Sequence, residues 1–519
     1  MRTISRRKFL VSSALSAAAL QLGGQGVLRQ VEATLAIPQE ATGPKIPEDF
    51  VGLSYEVEQL ADPAFFSAHN SGLVRAFKDL SPRGVLRTGG NTGEFAWWKP
   101  TANSPEPAHP ATREVVGEPK AQYYPVTAEA VRNLAEFLEA TGWSCIYGLN
   151  MGTNTPERAA DEAAFAAKTL GARLQYFQIG NEPDLFDRHL RDPQTWSAKT
   201  YLEEWLALAR AVTVRVPSAR FGVPDVASNI SWLSQIADAW PTIDDPPHLA
   251  ALSHHHYFGG PATNPDVNIP NLLRPAEMAK VQHTADEANA AAAKLGLRVR
   301  MTEGNTCYRG GKPGLSDVFA SALWAADYSL LLASNNYTGI NLHGGTGMSV
   351  ANGLGGFLPG DVMLKEQGAT PEQIASHPHP FYTPIATFGD EYVLQPVAYG
   401  LRFAATLAGG TMFKGDFSAQ LQATGVNATA YAARLKDGAT VVAILNKDLE
   451  SDLALHLDFG AGRTDRVGNK PFCGAGRRVL ECPSKITVRL QDGKTTTRVT
   501  RASGVLLHVY DLPPLPTHG

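Results

Sequence analysis

Cysteine is scarce in this 519-residue sequence. Only Cys145, Cys307, Cys473 and Cys482 are present, which is too few for a disulfide scaffold, and no C-x-x-C spacing indicates a structural zinc site. The pair Cys473 and Cys482 flanks Gly-Ala-Gly, a candidate hairpin turn, and we regard it as a candidate disulfide for an oxidising compartment. The fold must otherwise rest on its hydrophobic core.

Runs of basic residues and long apolar runs are also lacking. The formal net charge is −4, and no stretch of Lys and Arg forms the basic stripe that phosphate backbones require, so nucleic acid is excluded as the main partner. Beyond the N-terminus no stretch reaches the ~20 apolar residues of a membrane-spanning helix. We therefore expect no membrane partner for the mature chain. Its 44% hydrophobic and 18% charged residues are ordinary for a soluble globular protein.

The N-terminus is typical of a targeting segment. Arg6 and Arg7 precede about 14 weakly hydrophobic residues, Phe9 to Leu22, which are too few to cross a bilayer comfortably. This arrangement resembles a bacterial twin-arginine export signal. We expect residues 1–35 to form it, with cleavage between Ala33 and Ala36. The resemblance implies the twin-arginine export machinery as a partner and a periplasmic or secreted location.

From residue 50 onward, strand-like and helix-like segments alternate eight times. Eight such repeats in about 350 residues predict a closed (β/α)8 TIM barrel over residues 50–408. A doubly wound open sheet is the alternative, but it needs a glycine-rich phosphate turn after its first strand, and Gly52-Leu53-Ser54 is not one. The predicted strands are Phe50–Val57, Gly84–Arg87, Ser144–Asn150, Leu174–Ile179, Arg220–Val223, Leu249–Tyr257, Leu297–Glu303 and Tyr337–His343.

After Gly409 the pattern changes to short segments of alternating apolar and polar residues separated by turns. This pattern predicts an antiparallel β-sandwich over residues 409–519, and we expect residues 36–49 to join it. No group of ionisable residues collects in this domain. We therefore expect it to support the barrel, with sugar binding as the alternative.

Polar residues gather at the predicted carboxyl ends of the barrel strands, where barrels place their catalytic side chains. The fourth strand stops at Asn181-Glu182-Pro183, and Pro183 fixes the turn that holds Glu182. The seventh strand ends at Glu303. Other residues expected at this face are Glu56, Arg87, Asn91, Asn150, His255, His256, Tyr257 and His343.

Two carboxyl groups facing one pocket suit glycoside hydrolysis. One must be protonated and the other ionised, and their separation distinguishes retaining from inverting enzymes. No metal is predicted, because successive residues of a strand point to opposite faces and His254-His255-His256 cannot converge on one ion. No cofactor is predicted either.

Three motifs make the family resemblance specific. They are Leu86-Arg87-Thr88-Gly89-Gly90-Asn91, Gly180-Asn181-Glu182-Pro183, and Thr302-Glu303-Gly304-Asn305 followed by Tyr308 and Gly310-Gly311. Together they resemble glycoside hydrolase family 79, the heparanase and exo-β-glucuronidase family, from about Phe50 to the C-terminus. The Glu pair alone resembles the wider clan of retaining barrel glycosidases.

The resemblance implies roles for individual residues. Glu182 would be the acid/base and Glu303 the nucleophile, and Asn181 would hydrogen-bond the sugar 2-hydroxyl. The uronate carboxylate would be received by the residues after the seventh strand, namely Tyr308, Gly310 and Gly311. Further substrate contacts are expected from Glu56, His343, Tyr257 and Asn91, with Tyr257 orienting Glu303.

The sequence leaves several alternatives open. The reading favoured is a retaining exo-β-glucuronidase whose substrate is a carbohydrate with a terminal β-glucuronate. An endo-acting heparanase-like hydrolase, a retaining glycosidase for a neutral hexose and a non-catalytic carbohydrate-binding barrel are the alternatives. Two local alternatives also stand: Glu56 as an ion-pair partner of Arg87, and Trp97 with Trp98 as either a sugar-stacking wall or packing residues.

Overall fold

The computed structural model describes residues 29–113, 122–346, 358–377, 379–461, 466–475, 478–480, 486–490 and 492–510. The twin arginines and the apolar run after them lie outside these residues, as does Cys482. Among the described residues no helix is both long and apolar enough to span a membrane.

Eight parallel strands close into a barrel. Each pairs with its predecessor in the chain, and the eighth pairs with the first. The TIM-barrel prediction is therefore confirmed, and the open doubly wound sheet is wrong. The strands are β1 (Val51–Glu56), β2 (Val85–Gly89), β3 (Ser144–Leu149), β4 (Leu174–Ile179), β5 (Phe221–Val226), β6 (Leu249–Tyr257), β7 (Val299–Asn305) and β8 (Gly339–Gly344).

One main helix follows each barrel strand. These helices are α1 (Ser71–Leu80), α2 (Ala128–Thr141), α3 (Pro156–Leu170), α4 (Ala198–Arg215), α5 (Ser231–Ala239), α6 (Pro275–Lys294), α7 (Phe319–Ser334) and α8 (Pro396–Ala405). Shorter helices are Ile269–Leu273, Pro359–Glu366, Pro371–Ala375 and Phe417–Gln422. Short 3-10 helices are Val57–Ala61, Asn91–Phe95, Gly171–Arg173, Pro183–Arg188 and Trp240–Thr242.

The helix α2 illustrates why these segments are helical. The Thr127 hydroxyl caps its start by accepting from Ala130 N, and Gly142 ends it in the left-handed region at φ 79°. Apolar side chains recur every three or four residues between these caps, so one face is buried against the barrel. The buried face includes Val131, Leu134 and Leu138.

Two short strand pairs lie outside the barrel. Ala96–Lys99 and Tyr124–Thr127 pair in parallel after β2, and Ile385–Phe388 and Glu391–Leu394 form a hairpin before α8. The first pair comes directly before and after the proline-rich segment that begins at Pro100. Trp98 there is buried, and its indole N–H donates to Asp161 on α3 at 2.9 Å, so the structure supports packing rather than a sugar-stacking wall for this residue.

Beyond α8 the chain forms two further sheets packed face to face, which agrees with the predicted sandwich. One contains Arg29–Ala36, Ser451–Asp458 and Lys494–Val499. The other contains Thr411–Met412, Ala428–Arg434, Thr440–Asn446, Ser503–Tyr510, Arg466–Ala475, Arg478–Leu480 and Ile486–Arg489. Apolar side chains of both sheets form one core, which includes Leu35, Leu453, Leu455, Ile444 and Leu507.

The first described strand, Arg29–Ala36, begins earlier than the folded chain was expected to begin. It pairs in parallel with Ser451–Asp458 along its whole length and buries Val31, Ala33 and Leu35 in the sandwich core. A boundary at residue 35 would divide this strand. The additional strand of the sandwich is therefore Arg29–Ala36 and not the segment 36–49. Within that segment, Ile37, Gly43 and Ile46 form backbone hydrogen bonds with the sandwich domain.

The disulfide prediction falls partly outside the described residues. Cys473 is disulfide-bonded, whereas Cys145 and Cys307 are free and buried. The expected partner, Cys482, is not among the described residues.

A buried ion pair joins the sandwich to the barrel. Lys447 of the sandwich contacts Asp327 of α7 at 2.5 Å, and each side chain is 1% exposed. Thr429 and Tyr431 of the sandwich also donate to Asp327 Oδ1, each at 2.7 Å. Three sandwich groups therefore satisfy one barrel carboxylate, which indicates that the two domains pack in a fixed arrangement.

We expect Asp327→Asn to lower the free energy of unfolding by about 3–5 kcal/mol, because it leaves the Lys447 ammonium buried without an anion. Urea unfolding monitored by fluorescence measures the loss. The matched control is Asp238→Asn, which removes a partner of Lys294 from a pair that is half exposed and should cost less than about 1 kcal/mol. Equal losses in the two variants would contradict the expectation.

Candidate active site

The backbone of the turn after β4 holds Glu182 in place through its conformation and through one hydrogen bond to the next strand. Gly180 has φ 85°, and Glu182 itself takes the left-handed conformation at φ 49° and ψ 50°. Its N–H donates to the carbonyl of Asp225, at the end of β5, at 3.0 Å. A non-glycine residue held in this region costs of order 1–3 kcal/mol, and such residues cluster at functional sites.

Glu303 lies in β7 with both oxygens hydrogen-bonded. Arg87 Nη1 of β2 donates to Oε2 at 2.6 Å, and the Tyr257 hydroxyl of β6 donates to Oε1 at 2.8 Å. The contact expected from Tyr257 is thus present. Two charged or polar donors on one carboxylate favour its ionised form.

The two glutamates face each other across the barrel mouth. One oxygen of Glu182, one oxygen of Glu303 and a ring nitrogen of His255 all lie within 4.8 Å of one another. The Glu182 side chain is 16% exposed and that of Glu303 is 7% exposed, so both are largely desolvated. The predicted pair therefore converges on one small volume.

His255 lies between Glu182 and Asp225. Its Nδ1 is 3.0 Å from Glu182 Oε1, and its Nε2 is 3.2 Å from Asp225 Oδ2. Burial lowers the pKa of His255, but the surrounding carboxylates outweigh this and raise it to about 10. The surrounding charges therefore favour the protonated ring at neutral pH.

The pKa values of the two glutamates move in opposite directions. Burial raises the pKa of Glu182, and the hydrogen bond from His255 offsets only part of this. Burial also acts to raise the pKa of Glu303, but the electrostatic effects of His343, His255 and Arg87, together with the Tyr257 hydrogen bond, outweigh it and hold the pKa well below its usual range. One carboxyl is thereby disposed to keep a proton and the other to remain charged.

The side chain of Asn181 is oriented by two donors. Its Oδ1 accepts from Arg87 Nη2 at 2.8 Å and from Gly90 N at 3.1 Å, while its Nδ2 faces Asn91 Oδ1 at 3.3 Å. Fixing the oxygen in this way directs the amide NH2 group away from Arg87. Asn91, after β2, is therefore brought to Asn181, after β4, across the carboxyl end of the intervening β3.

Glu56 and His343 lie next to each other at the carboxyl ends of β1 and β8. Glu56 Oε2 accepts from Thr92 N at 3.0 Å and Thr92 Oγ1 at 2.8 Å, and Oε1 lies 3.6 Å from His343 Nε2. Burial raises the pKa of Glu56 to about 8. The ion pair considered between Glu56 and Arg87 is wrong, because Arg87 points across the barrel to Asp225 and Glu303.

The loop after β7 brings Tyr308 to the rim. Its side chain is 39% exposed, and its ring meets that of Tyr257 edge-on with centroids 6.4 Å apart. Gly310 and Gly311 have φ 87° and 85°. A Cβ on Gly311 would lie 2.7 Å from the backbone N of Tyr382, so close packing alone already requires glycine there.

Two buried carboxylates at this face were missed by sequence reasoning. Glu94, in the turn after β2, accepts from the backbone N–H groups of Met151, Gly152 and Asn181 at 3.0, 2.5 and 2.5 Å. It therefore anchors the turns after β3 and β4 together. Burial raises its pKa to about 7. No motif marks Glu94, although it follows the Gly90-Asn91 pair by only three residues in the sequence.

Asp225 was missed because the fifth strand was predicted to stop at Val223, before Pro224. The strand instead continues to Val226, and Asp225 has φ 68°. Its buried carboxylate pairs with Arg87 and His255. Extending the strand by two residues would have placed this carboxylate at the carboxyl edge of the barrel.

Comparison with known proteins gives two levels of similarity. No family model matches the chain. It is 28% identical over 337 residues to a β-glucuronidase of Aspergillus niger and 25% identical over 355 residues to a β-glucuronidase of Neurospora crassa. These matches span 60% and 61% of this chain and only 61% of the length of each relative.

Solved structures share the fold over nearly the whole chain. A 4-O-α-L-rhamnosyl-β-D-glucuronidase from Fusarium oxysporum superposes with a TM-score of 0.65 at 15% identity, covering 91% of this chain and 100% of that one. A family 51 α-L-arabinofuranosidase from Bifidobacterium longum gives a TM-score of 0.62 at 13% identity, covering 93% and 100%. The barrel with its accompanying sheets is thus an architecture used by glycoside hydrolases.

Proposed function

We propose that this protein is a retaining glycoside hydrolase that releases terminal β-linked glucuronic acid. The observation that carries the proposal is the pair Glu182 and Glu303, whose nearest oxygens lie within 4.8 Å in a largely desolvated pocket. Retaining enzymes place their carboxyl groups ~5–5.5 Å apart, whereas inverting pairs lie ~6.5–9.5 Å apart to admit a water. The short separation favours the retaining mode.

In the proposed mechanism Glu303 attacks the anomeric carbon while Glu182 gives its proton to the departing glycosidic oxygen. This forms a covalent glycosyl-enzyme intermediate. Glu182, now a carboxylate, takes a proton from water, which attacks the anomeric carbon and frees Glu303. Arg87 and Tyr257 hold Glu303 as the anion, and Asn181 offers its amide NH2 to the 2-hydroxyl.

The choice of a uronate rests on the similarity to two β-glucuronidases and on the loop after β7. We propose that Tyr308, Gly310 and Gly311 receive the carboxylate, and that Glu56 and His343 contact other hydroxyls. The motifs that resemble glycoside hydrolase family 79 support the same assignment. Export through the twin-arginine machinery to the periplasm or medium is part of the proposal and rests on the N-terminal motif.

The pH profile follows from the opposite pKa directions. Activity requires Glu303 ionised and Glu182 protonated. Because the pKa of Glu303 is lowered, kcat/KM should fall on the acid side only at a pH below the ordinary pKa of a glutamate. Because the pKa of Glu182 is raised, kcat/KM should fall on the basic side only at a pH above that ordinary value. Hydrolysis of an aryl β-D-glucuronide across pH measures both limbs.

The substrate assignment has a matched control in the same assay. Aryl β-D-galactoside and β-D-glucoside should be hydrolysed at least about 100-fold more slowly, because a site built for the carboxylate leaves its donors unpaired with a neutral sugar. Turnover of a neutral glycoside with none of the glucuronide would refute the uronate assignment. A product of inverted anomeric configuration by NMR would refute the retaining mechanism.

A further inference from the structure

Asp225 is a buried carboxylate that connects the two halves of the candidate site. It forms an ion pair with Arg87, and its Oδ2 lies 3.2 Å from His255 Nε2, with all three side chains fully buried. Each of these cations also contacts one reacting carboxyl, Arg87 with Glu303 at 2.6 Å and His255 with Glu182 at 3.0 Å. The Asp225 carboxylate thus contacts both Arg87 and His255.

The backbone of the same residue supports Glu182. The carbonyl of Asp225 accepts from Glu182 N at 3.0 Å, and both residues hold positive φ. The Thr302 hydroxyl donates to the other Asp225 carboxylate oxygen, Oδ1. The carboxylate of Asp184, two residues beyond Glu182, ties the turns after β4 and β5 together by accepting from the N–H groups of Ala227, Ser228 and Asn229.

The charges of five groups in this cluster balance in one protonation state. Two cations, Arg87 and His255, face two anions, Asp225 and Glu303, so these groups sum to zero when Glu182 carries a proton. Burial lowers the pKa of the neighbouring histidines, His254 and His343, and raises that of the neighbouring tyrosines, Tyr176, Tyr201 and Tyr257. The Asp184 carboxylate adds a further negative charge on the Glu182 side, where it acts to raise the pKa of Glu182.

We propose that Asp225 is a positioning residue that fixes the His255 imidazolium on Glu182 and the Arg87 guanidinium on Glu303. The acid and the nucleophile thereby keep their places and their opposite charge states. This role rests on the proposed glycosidase function. Nothing in it requires Asp225 to touch the sugar.

The test is Asp225→Asn in the full chain, which keeps the side-chain shape and removes the charge. We expect kcat for an aryl β-glucuronide to fall ~10²-fold or more while KM stays within about threefold, because misplacement of reacting groups costs turnover rather than binding. Loss of a nearby negative charge lowers the pKa of any proton in the cluster, so the basic limb of the profile should move to lower pH by about one pH unit or more.

The control is Glu162→Gln on α3. Glu162 is another buried carboxylate, and it accepts from the Tyr147 hydroxyl at 2.9 Å instead of pairing with Arg87 or His255. The Glu162→Gln variant should have the kcat and the pH profile of the wild type even if its Tm is lower. A normal kcat and an unmoved profile in Asp225→Asn, or the same changes in Glu162→Gln, would overturn the proposal.

Nitrogen NMR of the histidine rings provides a readout that does not depend on turnover. With the His255 signal assigned by His255→Gln, the ring should be protonated on both nitrogens at pH 7 in the wild type and should lose a proton at lower pH in Asp225→Asn. A neutral His255 in the wild type at pH 7 overturns the proposal even if the variant fails to fold. Wild-type inactivity on glucuronides would instead refute the proposed function.

Discussion

Glu303→Gln is expected to lower kcat for an aryl β-glucuronide by at least about 10⁴-fold, because an amide cannot attack the anomeric carbon. The substitution preserves the shape and the hydrogen bond from Tyr257, so the fold and the binding of substrate should change little. Steady-state kinetics at the pH optimum, with Tm as the check on folding, measure the loss. The control is Glu139→Gln, an exposed partner of Arg173, which should behave like the wild type.

Chemical rescue makes this prediction specific to a nucleophile. In Glu303→Gly, azide can enter the vacated space and attack the anomeric carbon while Glu182 protonates the leaving phenol. The product should be the α-glucuronosyl azide, formed by a single displacement. Near-normal turnover by Glu303→Gln, or rescue that yields the β-azide, would contradict the assignment of Glu303.

Glu182→Gln is expected to have an effect that depends on the leaving group. For a phenyl glucuronide, which needs a proton on departure, kcat/KM should fall by about 10²–10⁴-fold. For a dinitrophenyl glucuronide, which needs none, formation of the intermediate should remain fast, and its hydrolysis should be slow because no base activates water. A pre-steady-state burst and an added mass of one glucuronyl group on the protein would record this.

The comparison of the phenyl with the dinitrophenyl glucuronide is the control for Glu182→Gln. If both leaving groups lost the same factor, Glu182 would act through structure and not through proton transfer. The strained backbone at Glu182 and its hydrogen bond to Asp225 are main-chain features, so the Gln side chain should leave them intact. Azide with Glu182→Gly should give the β-glucuronosyl azide, the opposite anomer from that expected with Glu303→Gly.

The barrel and its two glutamates were predictable because they depend on local pattern. A buried strand ended by Gly180 and Pro183 fixes where Glu182 stands, and the count of eight repeats fixes which edge it shares with Glu303. Neither the position of Glu182 nor the edge that it shares with Glu303 depends on knowing the side-chain contacts. Both predictions therefore remain correct when the strand bounds are wrong by one or two residues.

The charge network could not be predicted in the same way. Arg87 lies in β2 close to Glu56, yet its guanidinium crosses the barrel to Asp225 and Glu303. The direction of a long side chain inside a barrel depends on the size and charge of groups from several strands at once, and those contacts are not encoded in any one segment. Pro224 further concealed Asp225, because proline normally argues against a continuing strand.

The N-terminal strand was concealed for a different reason. Residues 29–36 follow an apolar targeting-like segment, and their small residues suggested a cleavage site. The alternation of Val31, Ala33 and Leu35 with polar residues was equally visible and predicts a half-buried strand. The sequence alone offered no way to rank the two patterns, because the strand's partner lies far away in the chain.

That distance has a consequence for how the protein is made. Arg29 pairs with Ser451, so the strand synthesised early must wait for more than 400 residues before its partner leaves the ribosome. Until then the Arg29–Ala36 strand presents unpaired backbone groups and apolar side chains, a state prone to pairing with other chains. Closure of this sheet should therefore be a late folding event, and chains begun after residue 36 should aggregate through the exposed Ser451–Asp458 edge.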